Sequence, residues 1–157
     1  MSSFKTRKKR NIMKPIKVVV VGDANVGKTG MLLTYANKVF PSDLQPTTID
    51  NYSADEEIDG ESFNLSLWDT SGAEGHKEMR SYAYATDVFL VCFSIADQKS
   101  WENVRAVWVP EIQRDYPEAP IILVGLKSDL RKDSLGVPGA IHFKSKYIPK
   151  SQIKIGT

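Results

Sequence analysis

Near the amino end, Gly22-Asp23-Ala24-Asn25-Val26-Gly27-Lys28-Thr29 sets two glycines, a lysine and a threonine at the spacing G-x-x-x-x-G-K-S/T. Glycines there let backbone N–H groups turn inward around phosphate oxygens at a helix N-terminus. The Lys28 ammonium can reach the outer phosphates, and the Thr29 hydroxyl is a hard oxygen ligand for Mg²⁺. Further on, Asp69-Thr70-Ser71-Gly72 offers a carboxylate to the hydration shell of that metal and, at Gly72, an N–H to a terminal phosphate. Thr47, in a proline-bearing loop, is a candidate for a second metal-binding hydroxyl and a second phosphate-binding N–H. Two loops tethered to one terminal phosphate order with it and relax without it, which is the physics of a switch.

A phosphate cradle does not choose a base. In Leu126-Lys127-Ser128-Asp129 the aspartate can accept two hydrogen bonds from the N1–H and amino group of guanine, a donor pair adenine lacks, and the stem of Lys127 can lie over a purine ring. Alone, K-x-D is a solvated charge pair more often than a binding site. Its place after an apolar strand, downstream of the phosphate loop, favours the guanine reading.

These residues need a frame. The run IKVVVVG from Ile16 is continuous and β-branched, as a strand buried on both faces is, and TGMLLTYANK behind the loop sets Met31, Leu32, Tyr35 and Val39 at helical spacing from a start near Lys28. NYSADEEI and SFNLSLWD, split by DGE, read as an antiparallel hairpin, with a loop over 41–48 before it. A short helix over 77–85, a strand DVFLVCFS, a helix from Ser100 as N-cap and a strand PIILVGL follow. That second long helix carries Trp101, Val104, Val107, Trp108 and Ile112 on one face, where core packing accounts for both tryptophans. Alternating strands and helices predict an α/β fold of the P-loop type: an open, mostly parallel sheet with helices on both faces and its ligand at the carboxyl ends of the strands.

Composition narrows the class. The 157 residues are 41% hydrophobic and 25% charged, which suits one domain, and no apolar run is long enough for a membrane-spanning helix. The single cysteine, Cys92, allows no internal disulfide and reads as a small buried hydrophobe. The net charge of +2 hides an asymmetry: residues 1–17 carry seven basic and no acidic side chains, 18–133 carry ten basic and nineteen acidic, and 134–157 carry four basic and none acidic. The body is acidic, so no nucleic-acid partner is expected. Residues 1–15 read as a flexible basic arm, 16–133 as the nucleotide domain, and 134–157 as a divergent basic tail in which Ile141, Phe143 and Tyr147 suggest one weak half-buried strand. His76 and His142 have no metal-ligand partners at useful spacing and are assigned no chemistry.

The segments GDANVGKT, VFPSDLQPTTIDNYSA, LSLWDTSG, DVFLVCFS, SWENVRAVWVPEI and PIILVGLKSDLRKD, spread over about residues 16–133, resemble the Ras superfamily of small GTPases and its Rho branch in particular. The resemblance implies GTP/GDP and Mg²⁺ as ligands. Gly22, Asp23, Ala24, Asn25, Val26, Gly27, Lys28, Thr29, Gly30, Phe40, Thr47, Asp69, Gly72, Lys127 and Asp129 would contact the nucleotide, Phe40 packing on guanine. Thr29, Thr47 and Asp69 would serve the metal. Thr48, Ile49, Asp50, Asn51 and Tyr52 would face effector proteins, and Asp69 to about Tyr84 would form the second switch. Exchange factors, activating proteins and control of the actin cytoskeleton are likewise implied by resemblance.

Several positions depart from the family pattern. Ala73 stands where a glutamine usually orients the attacking water, so no catalytic side chain is assigned and hydrolysis is expected to be weak. Ala24 replaces a glycine, and its methyl should crowd an incoming arginine finger, which supplies roughly 10³ to 10⁵ in rate. Ser71 before a non-glutamine residue resembles the hydrolysis-deficient Rnd-like Rho proteins. Leu44 replaces a tyrosine that closes over the phosphates and Leu126 a usual Asn or Thr, which should lower nucleotide affinity. After residue 133 the family's last strand and helix are not recognisable, so an incomplete domain is expected, and Ser145-Lys146 is not promoted to a base contact.

Three functions are compatible with these residues: a GTP-dependent switch with impaired hydrolysis, an ordinary regulated GTP hydrolase, and a fragment that binds no nucleotide and acts through partners alone. A cytoplasmic monomer is expected. No lipidation is expected, and Arg7-Lys8-Lys9-Arg10 reads as a contact for anionic membrane, a nuclear-import signal or a solvated arm.

Overall fold

A computed structural model describes residues 13–130. The expectations for the arm with Arg7–Arg10, for Ile141, His142, Phe143, Ser145, Lys146 and Tyr147, and for the last strand and helix lie outside them.

Strand β1 (Lys14–Gly22) runs into the phosphate-type loop and helix α1 (Lys28–Asn37), followed by β2 (Ile49–Ile58), β3 (Glu61–Thr70), a 3₁₀ turn (Glu74–His76), α2 (Lys77–Ser81) and β4 (Val88–Ser94). Helix α3 (Gln98–Asn103), a π-turn (Val104–Trp108) and α4 (Val109–Asp115) then form one rod, and β5 (Ile121–Leu126) ends the described sheet. The strand order is β2-β3-β1-β4-β5. β1 pairs in parallel with β3 and β4, and β4 with β5, while β2 pairs antiparallel with β3. The expected mostly parallel α/β sheet is therefore observed.

The central strand shows why its sequence is a valine run. Val18 and Val20 pack with Val26, Leu32, Leu67 and Cys92 beside α1, whereas Val19 and Val21 pack with Phe89, Val91, Trp101, Val104, Trp108 and Ile112 beneath α3 and α4. Successive residues of a strand point to opposite faces, so burial on both requires unbroken apolar text. The β2–β3 hairpin turns at Asp59 and Gly60, both with positive φ (52° and 78°), the geometry an Asp-Gly pair supplies. Cys92 is fully buried, and burial pushes its thiol up to about 12, consistent with a packing role.

The structure corrects four local expectations. The helix expected from Ser100 starts at Gln98, because the Asp97 side chain accepts from the Lys99 and Ser100 N–H groups; the Ser100 hydroxyl bonds back to the Asp97 carbonyl instead. Val107, expected on the buried face, is 39% exposed, since the i→i+5 bonding of the π-turn rotates the face that follows Asn103. Val39 lies beyond the left-handed cap at Lys38 and is 69% exposed rather than part of the α1 stripe. Helix α2 ends at Ser81, short of Ala85, and Ala83 and Tyr84 are buried in the turn that follows. Among the described residues no helix is long and apolar enough to cross a membrane.

Candidate functional site

The phosphate-type loop leaves β1 at its carboxyl end through Gly22 (φ 142°), where a Cβ would lie 2.2 Å from the Cys92 carbonyl oxygen. Only a residue without a side chain lets β1 and β4 stay paired there. Asn25 (φ 61°) and Gly27 (φ 111°) hold the left-handed conformations that curl the loop back into α1. Lys28 is buried, its Nζ donating to the Gly22 and Asp23 carbonyls at 2.8 Å each. Burial lowers its pKa and the neighbouring Asp69 carboxylate partly offsets that. An ammonium held under the loop mouth is placed to meet an anion seated in it.

Three side-chain oxygens meet beside that lysine. Thr29 Oγ1, from the first turn of α1, lies 2.8 Å from Thr47 Oγ1 and donates to Asp69 Oδ2 at 2.5 Å. Asp69, at the end of β3, has no exposed surface, and its Oδ1 has no hydrogen-bond partner. Burial raises its pKa, opposed by the Thr29 hydrogen bond and the charge of Lys28. An unpaired oxygen on a buried carboxylate is costly unless a cation or its water shell satisfies it. Among the described residues no three His, Cys, Asp or Glu side chains converge. Two hydroxyls and one carboxylate therefore fit an oxygen-seeking Mg²⁺ that completes its shell with water and phosphate, rather than a self-sufficient protein cage.

The segment after Asp69 closes on the loop. A Cβ on Gly72 would lie 2.3 Å from the Ala24 nitrogen and 2.4 Å from the Gly22 oxygen, so backbone meets backbone at this point. Ser71 N–H donates to the Thr48 carbonyl at 2.9 Å, which ties the segment to the start of β2. Ala73 is pinned by its backbone, its N–H donating to Ser71 Oγ (3.2 Å) and its carbonyl accepting from Arg80 Nη1 (2.9 Å). Its methyl offers nothing to a water. His76, given no chemistry from sequence, has Nδ1 2.7 Å from Ser71 Oγ; a five-residue separation across a 3₁₀ turn carries no sequence signal.

On the other side of the loop, Lys127 (φ 59°) donates from Nζ to the Asn25 carbonyl at 2.7 Å. The 3₁₀ turn over 128–130 leaves Asp129 exposed, and Leu126 lies within 4 Å of the Gly27 Cβ position. The K-x-D turn and the phosphate loop thus share one end of the sheet. Phe40 is 70% exposed, and with Leu44 it comes nearest to Gly30 of α1. Thr48 to Tyr52 enter the edge strand β2 with Thr48, Asp50 and Asn51 exposed, while burial, with Asp50 and Asp69 nearby, pushes the half-buried Tyr52 hydroxyl up to about 12.

Sequence reasoning also missed two contacts of the loop with the α3–α4 rod. Asp23 accepts from Asn103 Nδ2 at 2.6 Å and from Trp108 Nε1 at 2.7 Å, so Trp108 is more than core. Beneath it, Arg80 forks onto Glu111 with both bonds at 2.9 Å, and Tyr84 donates to Glu111 Oε1. Burial alone would raise the Glu111 carboxyl, but the hydrogen bonds from Arg80 and Tyr84 hold it below the usual glutamate range.

The model of the Ras family matches residues 17–154, across the strand, the phosphate-type loop, the segments around Thr47 and Asp69 and the K-x-D turn just described. Members of that family bind GTP or GDP with Mg²⁺, and the oxygens gathered at Thr29, Thr47 and Asp69 suit that ligand set. The chain belongs to the Ras family of small GTP-binding proteins.

Proposed function

We propose that this chain is a Rho-type switch: Mg²⁺-GTP fastens the loop around Thr47 and the segment from Asp69 to about Tyr84, effector proteins read the face from Thr48 to Tyr52, and hydrolysis is slow. The observation that carries this reading is the meeting of Thr29, Thr47 and Asp69 beside Lys28, with an alanine at 73. Mg²⁺ would neutralise phosphate charge there and be held through those three side chains. The chain's own work is to cradle the phosphates with the amides of 22–29, place Lys28 under them, and read guanine with Lys127 and Asp129. Rho-type partners, exchange factors, activating proteins and action on the actin cytoskeleton follow from the resemblance; a cytoplasmic monomer completes the reading, with Arg7-Lys8-Lys9-Arg10, by its charge, a contact for anionic membrane, a nuclear-import signal or a solvated arm.

Denaturing the purified protein and chromatographing what it releases tests the reading. GDP or GTP in near-stoichiometric amount, with Mg²⁺-dependent uptake of a non-hydrolysable GTP analogue and slow single-turnover hydrolysis, is expected. No bound or acquired nucleotide would leave the partner-only fragment as the function. A second reading, an ordinary hydrolase, is favoured by the Ser71–His76 contact, which sets an imidazole beside the segment that lacks glutamine. Rapid turnover abolished by His76→Ala would establish it.

A further inference from the structure

We infer that Trp108 and Asn103 are positioning residues for nucleotide retention, which they serve by holding Asp23 and so the phosphate loop; this rests on the nucleotide-binding reading above. The carboxylate of Asp23 leaves the loop and ends on the helical rod, Oδ2 on Asn103 Nδ2 and Oδ1 on Trp108 Nε1, across 80 and 85 residues of sequence. The carbonyl of the same residue accepts from Lys28 Nζ. Both side-chain oxygens and the carbonyl oxygen are therefore engaged, and the backbone of the first loop residue after Gly22 has little freedom left.

The rod is shaped for the task. Five residues along an ordinary α-helix are about 140° apart around the axis, so Asn103 and Trp108 would diverge. Between them lies the π-turn, with the Val109 N–H bonded to the Val104 carbonyl, and i→i+5 bonding brings residues five apart onto one side. Two donors then reach one carboxylate. Trp108 is only 2% exposed, and a buried indole N–H needs an acceptor, but any nearby carbonyl would serve a purely structural tryptophan. Its acceptor here belongs to the loop.

That loop benefits from an outside restraint. It holds three positive-φ residues, Gly22, Asn25 and Gly27, and the non-glycine among them, Asn25, occupies a conformation that costs free energy unless its surroundings hold it. The indole also has a second neighbour. Arg80 places its guanidinium 4.8 Å from the Trp108 ring centroid while donating to the Ala73 carbonyl, so the second switch bears on the face of the ring whose N–H holds the loop.

The test is release of fluorescently labelled GDP, and of a labelled non-hydrolysable GTP analogue, from the wild-type chain, Trp108→Phe, Asn103→Leu, Asp23→Ala and the Asp23→Ala/Trp108→Phe double variant. Loss of one hydrogen bond to a charged group should speed release about ten-fold or more, with the association rate little changed. The double variant should release no faster than Asp23→Ala alone, because both changes cut the same link. If Trp108→Phe fails to fold, half-buried Asn103 supplies the equivalent cycle with Asp23→Ala. Wild-type release rates in Trp108→Phe and Asn103→Leu, or additive effects in the double variant, would overturn this inference alone. A wild-type chain that takes up neither nucleotide would overturn it together with the functional reading.

Discussion

Thr29 Oγ1 and Thr47 Oγ1 lie 2.8 Å apart although 18 residues, most of a helix and a proline-bearing loop separate them. One comes from the first turn of α1 and the other from a segment with no regular secondary structure, so the pair joins a helix start to an irregular loop. Asp69 completes the triangle from the far strand. Whatever satisfies its unpaired Oδ1 is felt by all three segments at once.

Metal removal should therefore act through this triangle. In the wild-type chain a chelator should speed nucleotide release strongly, since the phosphates lose a neutralising ion. Thr47→Ala should weaken Mg²⁺ about 10- to 100-fold while leaving GDP bound at saturating metal, the size expected when one supporting oxygen around a metal is lost. Asp69→Ala should abolish sensitivity to the chelator altogether. Stopped-flow release with and without chelator measures both, and equal sensitivity in all three proteins would show that the metal does not sit here.

Gly72 is predicted to be intolerant of any side chain for a reason its φ does not reveal. A Cβ would meet the Ala24 nitrogen and the Gly22 oxygen, both backbone atoms of a loop already fixed by Lys28 and by pairing with β4. Gly72→Ala must push the segment that follows Asp69 off the loop. GDP affinity should change little and affinity for the GTP analogue should fall by about ten-fold or more, roughly 1.4 kcal/mol. Calorimetry with the two nucleotides decides it: equal losses would place the clash in the loop rather than in the switch.

Much of this site was legible because its signals are local. A valine run buried on both faces, eight loop residues with glycines at fixed offsets and an Asp-Gly turn each state their geometry within a few residues. The contacts that tie the elements together are not local. Nothing near Trp108 announces that its N–H meets Asp23, and the π-turn that allows it has no composition cue. The cap at Asp97 was hidden for a different reason: Ser100 is an equally good capping type, and only the path of the chain after Ser94 shows which of the two precedes the first turn. His76 reached Ser71 because a 3₁₀ turn, not an α-helix, begins at Glu74.

Acid should loosen the segment that carries Arg80 and Tyr84 before it unfolds the sheet. Glu111 carries two bonds from Arg80 and one from Tyr84 in a setting only 7% exposed, and those bonds depress its pKa in the folded chain. A depressed carboxyl contributes stability that is complete above its unfolded value, about 4.3, and is lost as pH falls through the lower folded value. Melting temperature followed from pH 7 downward should fall in that acid window. Glu111→Gln should flatten this part of the profile and be destabilised at neutral pH by about 3 kcal/mol or more, because Arg80 loses its buried counter-charge. An unchanged acid limb in the glutamine variant would assign the transition to other carboxylates.

Hydrolysis offers the sharpest test of the two alanines. Ala73 is fixed at its N–H by Ser71 and at its carbonyl by Arg80, so a longer side chain there would project from a backbone already in place. Ala73→Gln should raise single-turnover hydrolysis about ten-fold or more, each ten-fold corresponding to roughly 1.4 kcal/mol off the barrier, because an amide can orient the attacking water where a methyl cannot. Ala24 is exposed at the mouth of the loop, where an arginine from an activating protein would enter. Ala24→Gly alone should leave the intrinsic rate unchanged and restore a response to such a protein only when glutamine is also present at 73. Should the wild-type chain already turn over rapidly and Ala73→Gln add nothing, the water is held by another group, and His76, in contact with Ser71, is the side chain to remove next.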